Sequence, residues 1–319
     1  MFLKILKGNF MNLRNIVVII LFSSVCFAGE EKILKPVITG QWHQIAGNPD
    51  LGKYTGEKQE PVDFCIWQAA DGTWQLWSCI RGTNTPGHNR LFHRWEGKNI
   101  TDPNWTPMGI AMMSESKYSE PENGLQAPYV VKFKNKYWML YGDWNNICLA
   151  VSKDGKKFER VLKNNSAAVF SEGGPEVNTR DPMLMWKTNQ WYCYYTACPA
   201  KKGYVFCRTS SDLKKWSDSV VVSYGGSAGT GWASAECPQV IEPTKGNYYL
   251  FRNQYYGPGG KFCVYHSKNP FNFGIDDDSY LISEFNLSAP EIIKDGDKYY
   301  IAALNPNLDG IRIAPLDWR

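Results

Sequence analysis

Three acidic residues, Asp63, Asp181 and Glu236, stand in short runs of one shape that returns five times along the chain. Two carboxyl groups held on either side of a glycosidic bond can break it. One, ionised, attacks the sugar carbon or activates water, and the other, protonated, donates to the leaving oxygen. A third nearby raises the donor's pKa or positions the sugar. Asp63, Asp181 and Glu236 supply such a trio, and the longer arm of Glu236 suits it to reaching a leaving oxygen. Residues so far apart in sequence cooperate only if the fold converges them, so the argument turns to the repeat that carries them.

The five runs are Val62-Asp63-Phe64-Cys65-Ile66-Trp67, Gln126-Ala127-Pro128-Tyr129-Val130-Val131, Arg180-Asp181-Pro182-Met183-Leu184-Met185, Ala235-Glu236-Cys237-Pro238-Gln239-Val240 and Ser288-Ala289-Pro290-Glu291-Ile292-Ile293. Each leads through a turn signal into an aromatic strand: Asp71-Gly72 before Trp74, Asn135 before Tyr137-Trp138, Asn189 before Trp191-Tyr192, Lys245-Gly246-Asn247 before Tyr248-Tyr249, and Asp295-Gly296-Asp297 before Tyr299-Tyr300. Starts near 63, 127, 181, 237 and 289 are spaced 64, 54, 56 and 52 residues apart. A period near 50 built from strands and turns predicts propeller blades, one sheet per repeat around an axis. The expected fold is all-β, a single-domain five-bladed β-propeller. Equivalent positions then sit at equivalent radii, three of them acidic where the other two runs have Ala.

The second half of each repeat is as regular. A strand is followed by Ser152-Lys153-Asp154, Ser210-Ser211-Asp212 or Ser267-Lys268-Asn269, and then by Phe158, Trp216 or Phe273. The polar residues suit a turn, and the aromatic is expected to pin the outer strand onto its blade. The Pro found in four of the five inner runs lacks an N–H and belongs where a strand begins, which places the residue before it at the mouth of a central channel. Gly40 to Ile45 is expected to add a strand to the last blade and close the ring. Glu291 is expected to point away from the side of the axis occupied by Ala289. Asp143 and Trp144 are expected at a blade edge as sugar-subsite residues. Gly-rich Tyr224 to Trp232 lacks the Lys-Ser/Thr ending of a phosphate loop, so it reads as a loop leading to Glu236, with Trp232 as a pocket wall.

The first 28 residues read as a leader. Lys4, Lys7 and Arg14 precede an apolar run, Ile16 to Phe22, that continues to a small residue at Ala28. This is the form of a secretory signal peptide, too short to span a membrane comfortably. The expectation is an exported protein, periplasmic or extracellular, whose propeller occupies residues 29–319. Loss of the leader removes three positive charges and no acidic ones, so a formal net charge of +4 becomes +1. A chain so nearly neutral has no electrostatic footprint for nucleic acid or an anionic membrane. Eight of the nine cysteines lie beyond the leader. None is in a CxxC spacing or near a histidine cluster, which argues against zinc. Most sit in apolar strand runs and read as small buried hydrophobes. No metal ligand set and no cofactor are expected, with a structural calcium ion in the channel left open.

At Arg180-Asp181-Pro182 and Glu236-Cys237-Pro238 the chain resembles the five-bladed propeller glycosidases of glycoside hydrolase families 32 and 43. In family 32 a first-blade nucleophile within Asn-Asp-Pro-Asn-Gly is followed by Arg-Asp-Pro and later Glu-Cys, in the order found here. Asp63 stands eight residues before an Asp-Gly turn, Asp71-Gly72, as that nucleophile does. Gln126-Ala127-Pro128-Tyr129 is similar to the second-blade Ala-Pro-Asp of family 43, with Tyr in place of Asp. Phe64 replaces the family's usual Pro, the Asn-Pro-Asn-Gly surroundings of that nucleophile are absent around Asp63, and the resemblance, from about residue 40 to the end, includes no C-terminal β-sandwich. It implies that Asp63 is nucleophile or base, Asp181 a stabiliser or pKa tuner, Glu236 the general acid and Arg180 a substrate-binding residue. The substrate would be a fructan, arabinan or xylan type of polysaccharide or oligosaccharide. The alternative is a non-catalytic carbohydrate-binding propeller, which would turn the Asp63 carboxyl away from the channel.

Overall fold

Each of the five runs opens the innermost strand of an antiparallel sheet. The structure, a computed structural model, describes residues 32–319, so the leader lies outside the described residues. Blade 1 comprises Glu60–Gln68, Trp74–Arg81, Leu91–Gly97 and Thr106–Met112. Blade 2 comprises Gln126–Phe133, Lys136–Gly142, Ile147–Ser152 and Glu159–Arg160, with Ala168–Phe170 also paired to the third strand. Blade 3 runs Arg180–Lys187, Gln190–Ala197, Tyr204–Ser210 and Val220–Ser223, and blade 4 runs Gln239–Thr244, Asn247–Tyr255, Lys261–Ser267 and Leu281–Phe285. Blade 5 takes Glu291–Asp295, Lys298–Leu304 and Gly310–Trp318 from one end of the chain and Pro36–Ile38 and His43–Gly47 from the other. Helix among the described residues is limited to three-residue 3-10 turns such as Gly52–Tyr54.

The ring closes as the sequence predicts, though with two short strands instead of one. Pro36 pairs with Trp318 and His43 with Ile313, leaving Gly40 and Trp42 between them. Ile45 and Ala46 are fully buried at this seam.

The Ser-x-Asp turns act by local hydrogen bonding. Asp154 Oδ1 accepts from Ser152 Oγ and from the N–H groups of Lys156 and Lys157, and Asp212 Oδ1 does the same with Ser210, Lys214 and Lys215. The aromatic that follows serves differently from expectation: it packs on the preceding blade. Phe158 of blade 2 meets Trp67 and Trp77 of blade 1 edge-on, Trp216 of blade 3 meets Phe170 of blade 2, and Phe273 of blade 4 meets Tyr194 of blade 3. These rings fill the wedge between diverging sheets, where a sheet's own side chains cannot reach. All eight cysteines of the described residues are free, and only Cys237 is more than marginally exposed. They pack as small hydrophobes.

Candidate active site

One backbone conformation marks the axis in all five blades. Asp63, Ala127, Asp181, Cys237 and Ala289 have φ of 38°, 40°, 56°, 50° and 47°. The left-handed region costs a non-glycine residue about 1–2 kcal/mol, and four of the five precede a proline, which ordinarily holds its predecessor extended. Register slips in blades 1 to 3, between Val62 and Phe64, between Gln126 and Tyr129 and between Arg180 and Met183, show that these three residues are bulges, whereas Cys237 and Ala289 stand just ahead of their strands, which begin at Gln239 and Glu291. A bulge re-aims one side chain out of the pleat, here inward. The equivalence also corrects the sequence alignment of the runs. Cys237 is the ring position of blade 4, and Glu236 is one residue earlier, level with Arg180. The ring therefore carries two carboxylates, and the third joins them from the loop above.

Arg180 and Cys237 tie the three together. Arg180 Nη2 donates to Glu236 Oε1 at 2.9 Å, and its Nε lies 3.5 Å from Asp181 Oδ2. The remaining guanidinium hydrogens go to the Asn178 and Trp232 carbonyls and the Cys198 sulfur. The Cys237 N–H donates to Asp181 Oδ2 at 3.1 Å and its thiol to Asp63 Oδ1 at 3.5 Å. Tyr256 completes the environment of Asp63, donating its hydroxyl to Oδ1 at 2.9 Å, while Arg90 Nη1 stands 3.9 Å from Oδ2. The side chains of Asp181, Asp63 and Glu236 are 3%, 11% and 17% exposed, so solvent and substrate reach Glu236 most readily and Asp181 least.

Burial sets the proton affinities. Desolvation raises the Glu236 carboxyl above the usual range, with Arg180 opposing and the Asp63 charge adding to the rise. Asp181 is raised in the same way, by burial first, against Arg180. Tyr256 is held protonated by burial and then by the Asp63 charge, so it remains a donor. The arrangement thus contains one carboxyl group supplied with donors, Asp63, and two that burial inclines to keep their protons, Glu236 and Asp181.

Residues 91–303 match the family described as the glycosyl hydrolases family 32 N-terminal domain. The chain belongs to this family. It is accordingly a glycoside hydrolase. Asp181 and Glu236 lie within the matched residues and Asp63 upstream of them. Among solved structures, a thermostable family 43 glycoside hydrolase shares 18% identity at a TM-score of 0.59, over 83% of this chain and 91% of that one. An endo-arabinase from Bacteroides thetaiotaomicron shares 14% at 0.62, over 83% and 97%. A family 32 β-fructofuranosidase from Bombyx mori shares 17% at 0.57, over 88% and 62%. At these identities the likeness is one of fold. A comparison with curated proteins returned no match.

The other residues singled out from sequence divide. Trp232 is 40% exposed and lies over the Arg180 guanidinium at 4.9 Å, so it walls the site of this family 32 protein. Trp144 stacks on His88 with ring centroids 3.9 Å apart and lies 5.3 Å from the Arg90 guanidinium. Gly124 packs so closely beneath this stack that a Cβ would fall 3.1 Å from Trp144 Cβ. Asp143 is turned away: only 1% exposed, it accepts the N–H groups of Asn145 and Asn146 and the Cys148 thiol, closing its own turn. Glu291 faces the axis, contrary to expectation. It stands two residues beyond Ala289, and period-two alternation returns it to the same side. The Gly-rich loop is anchored by buried Arg252, which donates to Ser234 O, Ser223 Oγ and Gly229 O. Tyr256, Arg90 and Arg252 were not foreseen. Tyr256 precedes Gly257-Pro258-Gly259, a turn signal with no counterpart in the other repeats, and no spacing pointed to the arginines. Among the described residues no group of three or more His, Cys, Asp or Glu is placed to hold a metal ion.

Proposed function

We propose that the protein is an exported glycosidase in which Asp63 is the nucleophile, Glu236 the general acid and Asp181 the group that positions the sugar. The observation that carries this is the convergence of the three carboxyl groups on Arg180 and Cys237 at the axial mouth. Asp63 turns inward, which argues against the purely sugar-binding alternative. In the first step Asp63 attacks the anomeric carbon as the C–O bond breaks, and Glu236 passes its proton to the departing oxygen. Glu236, now ionised, takes a proton from water, which attacks the same carbon and releases Asp63 with net retention. Trp232 and the Trp144–His88 stack offer flat faces for sugar rings, and the arabinan- and fructoside-cleaving neighbours make furanosides the first class to try. Export follows from the leader ending at Ala28, and the exported protein would begin at Gly29.

Reducing-sugar release from fructans, arabinans, xylans and aryl glycosides tests the reading, with Glu236→Gln beside the wild type. Polysaccharide turnover should fall about 10²- to 10⁴-fold in the variant. Aryl glycosides with acidic leaving groups, which need little protonation, should be cleaved with a much smaller loss in the first step. Equal loss on both substrate classes would remove Glu236 as the acid.

A further inference from the structure

Three buried oxygen atoms without a protein donor belong to residues that line one small cavity. Asp181 Oδ1, Gln239 Oε1 and Glu291 Oε2 have no hydrogen-bond partner. Their residues are 4%, 6% and 5% exposed, and all three line the axial cavity of about 30 Å3. They come from blades 3, 4 and 5, so no single turn accounts for them. Each orphaned acceptor costs about 1–3 kcal/mol if left dry, and a polar cavity of this size has room for about one or two water molecules.

Donor counting then constrains the occupant. With a single water, two hydrogens face three oxygens, so one of the three side chains must itself donate. A flipped Gln239 amide would complete the count, yet it would leave Asp181 and Glu291 both ionised across one small buried cavity, which burial and like charge oppose. Burial raises Asp181 too, but Arg180 and the Cys237 N–H on its other oxygen oppose that rise and favour its charge. Glu291 has the Ile66 N–H, at 3.3 Å on Oε1, and a hydrogen bond from the neutral Cys65 thiol, but no charged donor. The other titratable groups around Glu291 are the Cys65 thiol and Tyr129 hydroxyl, both held neutral by burial, with Asp63, Asp181 and Cys237 across the cavity. No cation faces it.

We propose that the axial cavity holds an internal water that donates to Asp181 Oδ1 and Gln239 Oε1 and accepts a hydrogen bond from the protonated carboxyl of Glu291. Glu291 is then a positioning residue: through the water it fixes the second oxygen of Asp181 from below, while Arg180 and Cys237 fix the first. Burial pushes the Glu291 carboxyl up to about 8, which keeps that donor in place through neutral pH. The inference rests on the proposed role of Asp181, but its first test needs no turnover.

A carboxyl raised on folding contributes stability that is complete below the unfolded value and lost as pH rises to the folded one. Equilibrium denaturation of wild type and Glu291→Gln from pH 5 to pH 8 should therefore diverge. The ratio of their folding constants, wild type over variant, should fall by about tenfold per pH unit. Parallel curves would overturn the proposal, as would one stoichiometric calcium retained by the purified protein in elemental analysis. If the site is active, Glu291→Gln, which keeps a donor, should exceed Glu291→Leu at least tenfold in kcat with similar KM. Equal kcat in the two variants would overturn the positioning role, and if Glu291→Leu does not fold, the pH comparison decides alone.

Discussion

Arg180 is the residue on which the site's charge balance depends. Its guanidinium is 3% exposed and serves two carboxyl groups at once. Removing it leaves those groups buried with no cation, which costs about 3–5 kcal/mol in a broken buried pair. The chemical consequence has a definite sign. Arg180 opposes the rise of the Glu236 carboxyl, so in Arg180→Gln that proton is held more tightly. The basic limb of kcat/KM should move to higher pH while its plateau falls by about 10²- to 10³-fold. A pH–rate profile checks both, and a limb that moves to lower pH would mean that another group governs it. Asp181 and Glu236 were legible because Arg-Asp-Pro and Glu-Cys are contiguous in sequence. Tyr256 was not, because its contact with Asp63 spans 193 residues and no other blade repeats it.

At the scale of the strand, the five left-handed residues are what make an axial site. An unbroken strand would alternate its side chains in and out with no special position. In blades 1 to 3 a bulge adds one residue whose side chain leaves the pleat toward the axis, and in four of the five blades the proline after the left-handed residue removes an N–H that would otherwise lack a partner. Such a position should tolerate glycine and reject β-branching. Ala127→Gly is expected to change stability by no more than about 1 kcal/mol, and Ala127→Val to cost at least about 2 kcal/mol, by denaturant titration. The reverse order would remove the conformational argument. The blades themselves were readable from sequence because turn and strand signals recur at one period. Position within the bulge was less so. A one-residue offset between Glu236 and Cys237 leaves composition and period unchanged, yet it decides which side chain lines the cavity.

At the scale of the whole molecule, a ring of blades needs a seam, and blade 5 provides it with strands from both ends of the described chain. Ile45 and Ala46 are buried there, and the Trp105 and Asn104 N–H groups of blade 1 donate to Ile45 O and Gln44 O. The seam thus supports blade 1, which carries Asp63, as well as blade 5. Deletion through Gly47 should remove about 4 kcal/mol or more and lower the melting midpoint by about 10 °C. An unchanged midpoint would show that four-sided support suffices.

The same seam sets an order of events during synthesis. Pro36 pairs with Trp318, so a segment made at the start has no partner until nearly every other residue has been made. Blades 1 to 4 draw on contiguous chain and are free to form as they appear, whereas the circle joins last. Until the last strand is made, Pro36–Ile38 and His43–Gly47 have nothing to pair with, and blade 5 is without its closing edge.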